Sequence, residues 1–290
     1  MNTRDMTVYD NKTMFEYNPN ATIHVVMISD LYPIVIIDDV YKHPDEVRDF
    51  ALSLPIPTHY VEPNAFIGSR LEISNFIANK TFLDTISLIL LQKLDLSHLI
   101  EEVLNIENQN SNFCMNVMHP DFKMNEHSSF LPHSDTSVMA SIIYLNKNNH
   151  DTMGTGFYQH KETGICVYPN NEIQLNWVCK KENISPNDYK LKMKRYEDWR
   201  KSNPSCKNSI LEDDKNYNVL YKTEGKFNQM ISYMGGMLHS PLHSDLGLMK
   251  DKNFKRINQM IFWDSILRQM KELHQKQVQL EEKLQQHGEG

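Results

Sequence analysis

Residues 131–145 read LPHSDTSVMASIIYL. His133 and Asp135 stand directly before an apolar run rich in β-branched residues, which predicts a buried strand from about 137 to 145. Side chains of an extended chain alternate between two faces, so residues two positions apart lie on the same face. If the chain is extended here, the imidazole and the carboxylate point the same way and can bind one metal ion together.

The pattern His-x-Asp recurs in this chain, so by itself it is weak support for a metal site. His119-Pro120-Asp121 has a proline between its candidate ligands and follows a predicted strand, where a turn is expected. His243-Ser244-Asp245 falls in a predicted loop near Pro241. Neither copy opens a buried strand, and we therefore favour the copy that contains His133.

A third metal ligand is expected from a distant part of the chain. Residues 227–239 read FNQMISYMGGMLH, which predicts a strand, a glycine turn and then His239. Glycines permit a tight turn and a close approach of two backbone segments. His243 is the alternative third ligand. We favour His239 because it directly follows the predicted strand.

Arg256 lies within FKRINQMIFW, residues 254–263, which predicts the last strand. Burying an arginine is costly unless an anion meets it, and a planar guanidinium can bind a carboxylate through two hydrogen bonds. Taken alone, Arg256 could equally lie at the exposed start of the strand and pair with a surface acid. The candidate metal ligands upstream favour the anion-binding role.

The rest of the sequence predicts a mainly β protein with helical support. Helices are expected after Pro44 and from about 82 to 104, where apolar residues recur at helical spacing. Short strands separated by Gly, Asn and Asp turns are typical of a sandwich or jelly roll. The predicted strands are 22–28, 33–37, 113–118, 138–145, 156–160, 165–168, 218–222, 227–234 and 254–263.

Composition divides the chain into three parts: a polar N-terminal segment, residues 1–20, a main domain, residues 21–264, and a C-terminal tail, residues 265–290. Residues 180–217 contain few large apolar side chains, and we expect an insertion or lid with a short exposed helix after Ser185. The tail predicts an amphipathic helix, for which docking onto its own domain and self-association are equally expected.

Charge and cysteine content exclude several classes of protein. A formal net charge of −7 gives no general attraction to nucleic acid, so no nucleic-acid partner is favoured. The 4 cysteines are widely spaced, as expected for reduced thiols rather than a disulfide framework. The sequence has neither a leader-like segment nor an apolar run of the roughly 20 residues that span a bilayer. These features predict a cytoplasmic protein with no membrane partner.

With two histidines, an aspartate and a downstream arginine, the sequence resembles the Fe(II)- and 2-oxoglutarate-dependent dioxygenase superfamily, in particular its prolyl 4-hydroxylase-like branch. The resemblance covers residues 133–263 and includes Tyr144-Leu145-Asn146 and Gly154-Thr155-Gly156-Phe157-Tyr158. One departure is the basic residue, because Arg256 lies 256 − 239 = 17 positions after the distal histidine, farther than the lysine of prolyl hydroxylases. Lys250 is therefore the alternative anchor for the cosubstrate.

The resemblance implies a double-stranded β-helix (jelly roll), supported by N-terminal helices and followed by the C-terminal amphipathic helix. It implies Fe(II), 2-oxoglutarate and O2 as cofactors, with the metal held by His133, Asp135 and His239. The implied cofactor-binding residues are Arg256, Tyr144, Asn116 and Asn258, with Thr155 and Tyr158 as further pocket candidates. The main domain would then be an oxygenase domain.

The implied reaction is hydroxylation of an unactivated C–H bond in an amino acid, peptide or related small molecule, with release of succinate and CO2. One alternative is a protein side-chain hydroxylase in which residues 180–217 and the tail contact the partner. Another is a jelly-roll binding or scaffold protein without enzymatic activity. An open coordination position on the metal would distinguish the enzymes from the scaffold, since structural metal sites are closed.

Overall fold

We analysed the protein in a computed structural model, which describes residues 11–54, 69–72, 80–94, 113–118, 130–147, 154–204, 210–242 and 256–263. Several predictions concern other parts of the chain: the C-terminal helix, the His119 and His243 copies of the metal pattern, and Lys250 all lie outside the described residues. The described residues form antiparallel sheets supported by helices, which confirms the predicted mainly β class.

A seven-stranded antiparallel sheet is the larger of the two sheets. Its strands are β1 (Thr22–Ile28), β2 (Tyr32–Asp38), β3 (Ser69–Glu72), β4 (Phe113–Met118), β5 (Met139–Tyr144), β8 (Met230–Met234) and β10 (Arg256–Phe262). They run in the order β1-β2-β8-β5-β10-β4-β3. The central strands β2, β5 and β8 are buried along almost their whole length, as their continuous apolar sequences predict.

The smaller sheet has three antiparallel strands, β6 (Thr155–His160), β7 (Tyr217–Lys222) and β9 (His239–Pro241), in the order β7-β6-β9. Phe157 on β6 packs edge-on against Tyr233 on β8, with 5.1 Å between the ring centroids. This contact joins the small sheet to the large one. The residues predicted to bind metal lie beside it.

The described residues include five helices: α1 (Asn11–Met14), α2 (Pro44–Ser53), α3 (Lys80–Lys93), α4 (Glu172–Glu182) and α5 (Pro186–Ser202). As predicted, α2 begins at a proline, and Asp45 and Glu46 occupy its first turn, where they complement the helix dipole. In the described part of the chain, no helix combines the length and apolar character needed to cross a membrane.

Helix α4 was not predicted. It buries Ile173, Gln174, Leu175, Trp177, Val178 and Cys179, which lie on more than one face of the helix. A helix covered on several sides lacks the single apolar stripe that marks an amphipathic helix, so its sequence carries no clear helical periodicity. The signal that could have located it is Asn171, which caps the helix by accepting a hydrogen bond from the Gln174 main-chain N–H at 2.9 Å.

The helix expected after Ser185 is longer and less exposed than predicted. Helix α5 has 17 residues and buries Tyr189 and Tyr196. The Ser185 hydroxyl caps it by accepting from the Asp188 main-chain N–H at 3.2 Å. Large tyrosines with polar hydroxyls supply its buried face, which explains why the segment looked poor in apolar residues.

Several predicted strands differ from the structure; for example, the strand predicted from 227 begins at Met230. Residues 165–168 form no strand, and in this segment Val167 makes a single bridge to Met237. Strand β5 begins at Met139 rather than near 137. The residues before it are held instead by contacts with the turn after β8 and with the start of α4. These contacts shape the candidate site.

Candidate metal centre

His133, Asp135 and His239 lie together at the junction of the two sheets. One potential ligand atom from each residue lies within 4.8 Å of the other two, and the histidine ring centroids are 4.4 Å apart. His239 is buried, Asp135 is half-buried and His133 is exposed. Two imidazoles and one carboxylate so arranged could hold a metal ion with one side open to solvent.

The backbone fixes the two histidines next to each other. His133 N–H donates to the His239 carbonyl at 2.9 Å, and His239 N–H donates to the His133 carbonyl at 2.9 Å. His239 is the first residue of β9, whereas His133 makes an isolated bridge outside any strand. His133 and Asp135 therefore approach each other from a segment that precedes β5 and lies outside any strand, as the predicted start of the strand after them implies.

Asp135 is held by the turn after β8. Its N–H donates to the Gly235 carbonyl at 2.7 Å. A Cβ atom on Gly235 would lie 2.0 Å from the Ser137 carbonyl oxygen, so this approach requires glycine. Gly235 thus permits the close approach that was expected of the glycine turn.

The first turn of α4 holds residues 135–137 in place through hydrogen bonds. The Gln174 amide donates to the carbonyls of Asp135 at 3.2 Å and Ser137 at 2.7 Å, and its own oxygen accepts from the Asn170 N–H at 2.6 Å. The Asn170 amide also donates to the Asp135 carbonyl, at 2.9 Å. Gln174 is fully buried. Sequence reasoning missed both residues because they bond main-chain carbonyls, which no side-chain pattern reveals.

Each imidazole is oriented through its second ring nitrogen. His239 Nδ1 lies 2.8 Å from the Met237 carbonyl and must donate to it, which leaves Nε2 directed at Asp135 Oδ2, 3.4 Å away. The His133 ring bonds the Leu131 carbonyl. Such bonds fix the ring orientation and the tautomer of metal-binding histidines.

Burial lowers the pKa of His239 to about 4 and outweighs the hydrogen bond to the Met237 carbonyl, which raises it. The pKa of His133 is also lowered, by desolvation and then by His239. Because His133 is exposed, water screens part of this effect. Both rings are therefore neutral at pH 7, the state in which imidazole binds metal.

A buried polar cluster lies deeper between the sheets. The Tyr144 hydroxyl shares hydrogen bonds with the hydroxyls of Thr155 at 2.7 Å and Thr223 at 2.9 Å. Arg256 is only 3% exposed, and its Nη2 donates to the Gly154 carbonyl at 3.0 Å. Burial lowers the pKa of Arg256 to about 10, which leaves it protonated at neutral pH. Arg256 is therefore not at an exposed strand end.

Strand register relates this cluster to the metal group. Tyr144 on β5 pairs with Asn258 on β10, and Arg256 lies two residues earlier on the same face. The ring of Tyr233 lies 4.8 Å from that of His239. Burial raises the pKa of the Tyr233 hydroxyl, and Asp135 and Tyr144 raise it further. Tyr233 pairs with Ala140 on β5, four residues before Tyr144, and therefore lies on the same face of the large sheet as the polar cluster. Sequence reasoning did not single it out.

The remaining predicted residues fall into two groups. Asn116 pairs in register with Asn258, but its side chain lies outside what the structure describes. Tyr158 donates to the Ile210 carbonyl at 2.8 Å, beneath α5 and apart from the metal group. The rings of Tyr158 and His160 both contact that of Tyr217, and the His160 ring lies 4.4 Å from that of Trp199.

A pocket of about 370 Å³ opens beside His133. Residues 132–134, which we call the metal segment, line one side of it. Helix α5 contributes Tyr196, Glu197, Arg200 and Lys201, and the remaining lining residues are Tyr168 and Leu238. The insertion therefore forms one wall of the pocket. None of its α5 residues was predicted as part of the site, because the mixed charges of this helix are typical of a solvated surface.

Comparisons with known proteins give a family but no activity. No curated protein shows significant similarity to the sequence. A crystal structure from Shewanella oneidensis, of a protein provisionally named an oxygenase, aligns with 88% of this chain and 70% of its own, at 12% identity and a TM-score of 0.30. The model of DUF6445, a family of unknown function, matches residues 19–262. Because this match spans most of its length, the chain belongs to the DUF6445 family.

Proposed function

We propose that this protein is an Fe(II)- and 2-oxoglutarate-dependent oxygenase that hydroxylates an unactivated C–H bond of a small molecule. The observation that carries the proposal is the group of His133, Asp135 and His239, with ligand atoms within 4.8 Å of one another and a pocket beside the exposed histidine. This arrangement combines a metal site with a space for substrate.

The donor set fits iron better than a structural metal. Two histidines and one carboxylate on one side of the ion leave further positions open, which is the pattern of non-haem Fe(II) oxygenases. A structural zinc site is normally closed by four protein ligands, often cysteines. Within the described ranges, the group contains three potential ligands and no cysteine.

The buried polar cluster fits the cosubstrate. 2-Oxoglutarate carries a carboxylate at each end, and a guanidinium is well suited to bind one of them. Arg256 and the Tyr144 hydroxyl offer hydrogen-bond donors for the carboxylate that is farther from the metal. Tyr233 lies closer to the metal residues, with its ring 4.8 Å from that of His239. A bound carboxylate would offset the cost of burying the Arg256 charge.

The roles of the side chains follow from these positions. Fe(II) with 2-oxoglutarate and O2 supplies the oxidising chemistry, with succinate and CO2 as the co-products. Gln174 and Asn170 keep the segment carrying Asp135 in place, while the Met237 carbonyl holds the His239 ring. The α5 wall would exclude water from one side of the substrate and orient it beside His133.

The two-sheet arrangement supports the double-stranded β-helix interpretation of the fold. A large and a small antiparallel sheet meet at Phe157 and Tyr233, and the metal group lies at that junction. Each sheet contributes to the proposed site, since Tyr144 and Arg256 belong to the large one and His239 to the small one.

The test begins with protein purified without oxygen. Fe(II) and 2-oxoglutarate binding are measured by calorimetry, and succinate release is measured after O2 is added. We expect the wild-type protein to bind both and to release succinate slowly without added substrate. His133→Ala, Asp135→Ala and His239→Ala should each lose iron binding, whereas His24→Ala, a change of an exposed histidine on β1, should not. Absence of binding of both iron and 2-oxoglutarate by the wild-type protein would refute the proposal.

A further inference from the structure

We propose that the substrate is a free amino acid, whose carboxylate is bound by Arg200 and whose ammonium group is bound by Glu197 on the α5 wall of the pocket. The inference rests on the proposed function, and it names the substrate class for that site. It is carried by the position of the pocket, by the charges on one face of α5 and by the size of the space.

The pocket and the metal group share a residue. His133 lines the pocket and also belongs to the group of potential metal ligands. Pro132 and Ser134, on either side of it, line the pocket as well. A molecule held there therefore lies directly beside the proposed metal position, which is where an oxidised substrate must be.

Arg200 is fixed at the edge of this pocket. Its Nη1 donates to the Pro132 carbonyl at 2.9 Å, and the side chain is half-buried. A guanidinium has five N–H donors, so this bond leaves others for a ligand. Because the group is already held in position, little further ordering is needed when an anion binds.

Lys192 and Lys201, two other cations on α5, have acidic partners. Lys192 pairs with Glu182 at 2.8 Å, and Lys201 pairs with Asp198 at 2.9 Å. No carboxylate among the described residues lies within ion-pair distance of Arg200, and, unlike the exposed Lys194 and Arg195, which also lack one, Arg200 is half-buried and lines the pocket. A partly buried arginine facing a pocket in this way is suited to a carboxylate supplied by a ligand.

Glu197 brings a negative charge to the same wall. It lies three residues before Arg200, so both side chains are on one face of α5, and both line the pocket. Glu197 Oε1 accepts a hydrogen bond from the Tyr168 hydroxyl. A carboxylate has capacity for about four hydrogen bonds. Glu197 can therefore also accept from an ammonium group.

The remaining lining sets the size and character of the substrate. The volume of about 370 Å³ lies near the lower end of the range for small-ligand pockets, roughly 300–1,000 Å³. The rings of Tyr168 and Tyr196, with centroids 5.8 Å apart, and the side chain of Leu238 provide an apolar surface. An amino acid with an apolar or aromatic side chain matches this combination of size, opposite charges and apolar wall.

The experiment compares free amino acids with their amides, in which the carboxylate is replaced and the ammonium is kept. Binding of each to the full-length protein is measured by saturation-transfer NMR, both without metal and with Fe(II) and 2-oxoglutarate under anaerobic conditions. Succinate release with O2 is measured in parallel. We expect at least one free amino acid to bind and to accelerate succinate release. Its amide should have an affinity that is lower by at least about tenfold.

Substitutions on α5 test the assigned roles. Arg200→Gln should weaken binding of the free acid about tenfold and abolish the preference for acid over amide. Arg195→Gln is the matched control, since it makes the same change at an exposed position of the same helix that does not line the pocket. We expect the control to change binding less than twofold. Glu197→Gln should weaken binding of the amino acid but not of its N-acetyl derivative.

The outcomes separate this inference from the proposed function. If iron and 2-oxoglutarate bind and succinate is released, but no amino acid binds, the inference is wrong and the oxygenase assignment stands. Equal binding of acid and amide, or an Arg200→Gln variant indistinguishable from wild type, would also overturn it. If iron does not bind but an amino acid binds through Arg200, the pocket assignment stands and the oxygenase proposal fails.

Discussion

His133 and His239 are joined by two main-chain hydrogen bonds, one in each direction and both 2.9 Å long. The residues are far apart in the sequence, and this bridge brings their rings within 4.4 Å between centroids. Main-chain bonds do not depend on side-chain identity. The bridge should therefore survive when either ring is replaced, so His133→Ala and His239→Ala should remove metal binding without unfolding the protein.

Gln174 should strengthen metal binding although it cannot touch the ion. Replacing it with leucine leaves the Ser137 carbonyl without its amide donor and the Asp135 carbonyl with the Asn170 amide alone. Groups that position metal ligands typically contribute 10- to 100-fold in affinity, so we expect a loss of that order. Competition with a chelator measures it. Gln159→Leu changes the same residue type away from the metal group, where the amide contacts Gly164 and Asn218, and should leave metal affinity unchanged.

Gly235→Ala should destabilise the protein and displace Asp135. The added Cβ atom would lie 2.0 Å from the Ser137 carbonyl oxygen, and main-chain atoms yield less easily than a flexible side chain. We expect a loss of about 3 kcal/mol in the free energy of unfolding, at the upper end for overpacking. Urea denaturation measures this loss. Gly164→Ala is the control: the added Cβ atom would have no neighbour within 4 Å, but the residue has φ +69°. We expect this variant to lose about 1 kcal/mol in the free energy of unfolding. Equal losses in the two variants would contradict the steric explanation.

Without metal, the protein should lose stability as the pH falls below neutrality. The folded-state pKa of His239, about 4, lies below its ordinary value of 6.5, so the unfolded chain binds more protons between these values. Stability contributed by the neutral ring is complete above pH 6.5 and is lost progressively toward pH 4. We expect a loss of about 1 kcal/mol between pH 7.5 and pH 5.5.

Urea denaturation in the presence of a chelator at these two pH values checks the prediction. The pKa of His133 is lowered too, so His239→Gln removes one of two titrating rings and should reduce the dependence on pH. A variant with the same slope as wild type would show that other groups cause the loss.

Arg256→Met should separate cosubstrate binding from metal binding. We expect 2-oxoglutarate affinity to fall about 100-fold, since hydrogen bonds between charged groups are strong in a buried setting. Iron binding should remain, because the residue belongs to β10 and not to the metal group. The free energy of unfolding should change little, as burial of the charge is itself unfavourable. Calorimetry with Fe(II) and with 2-oxoglutarate measures the two affinities. Lys226→Met removes a cation from an exposed salt bridge with Glu224 and is the control, which should change neither affinity.

The sequence allowed the central strands β2, β5 and β8 to be predicted because they are buried and apolar along almost their whole length, whereas the short edge strand β3 was not predicted. The strand from Phe113 to Met118 was predicted with the bounds that the structure has. The His-x-Asp pair and the distal histidine could also be identified from the sequence, since their chemistry is carried by residue type and spacing. The way in which they come together could not be predicted, because it depends on main-chain hydrogen bonds between distant segments.

The pocket wall could not be predicted for a related reason. Glu197 and Arg200 lie in a run of charged residues that is indistinguishable from a solvated helix face until the helix is placed against Pro132. Gln174 illustrates the same limit, since its role depends on which carbonyls lie within reach of its amide. Patterns along the chain report burial and residue chemistry, but not such contacts.

Helix α5 touches the metal segment through a main-chain acceptor, the Pro132 carbonyl, which receives hydrogen bonds from Arg200 at 2.9 Å and from Tyr196 at 3.5 Å. An acceptor of this kind is present whatever side chain occupies position 132. The donors to it, Arg200 and Tyr196, also line the pocket, so the contact that positions the helix uses two of the pocket-facing side chains. Glu197 and Lys201 line the pocket without bonding this carbonyl, and they are therefore the positions at which ligand preference could be engineered while the helix and His133 stay in place.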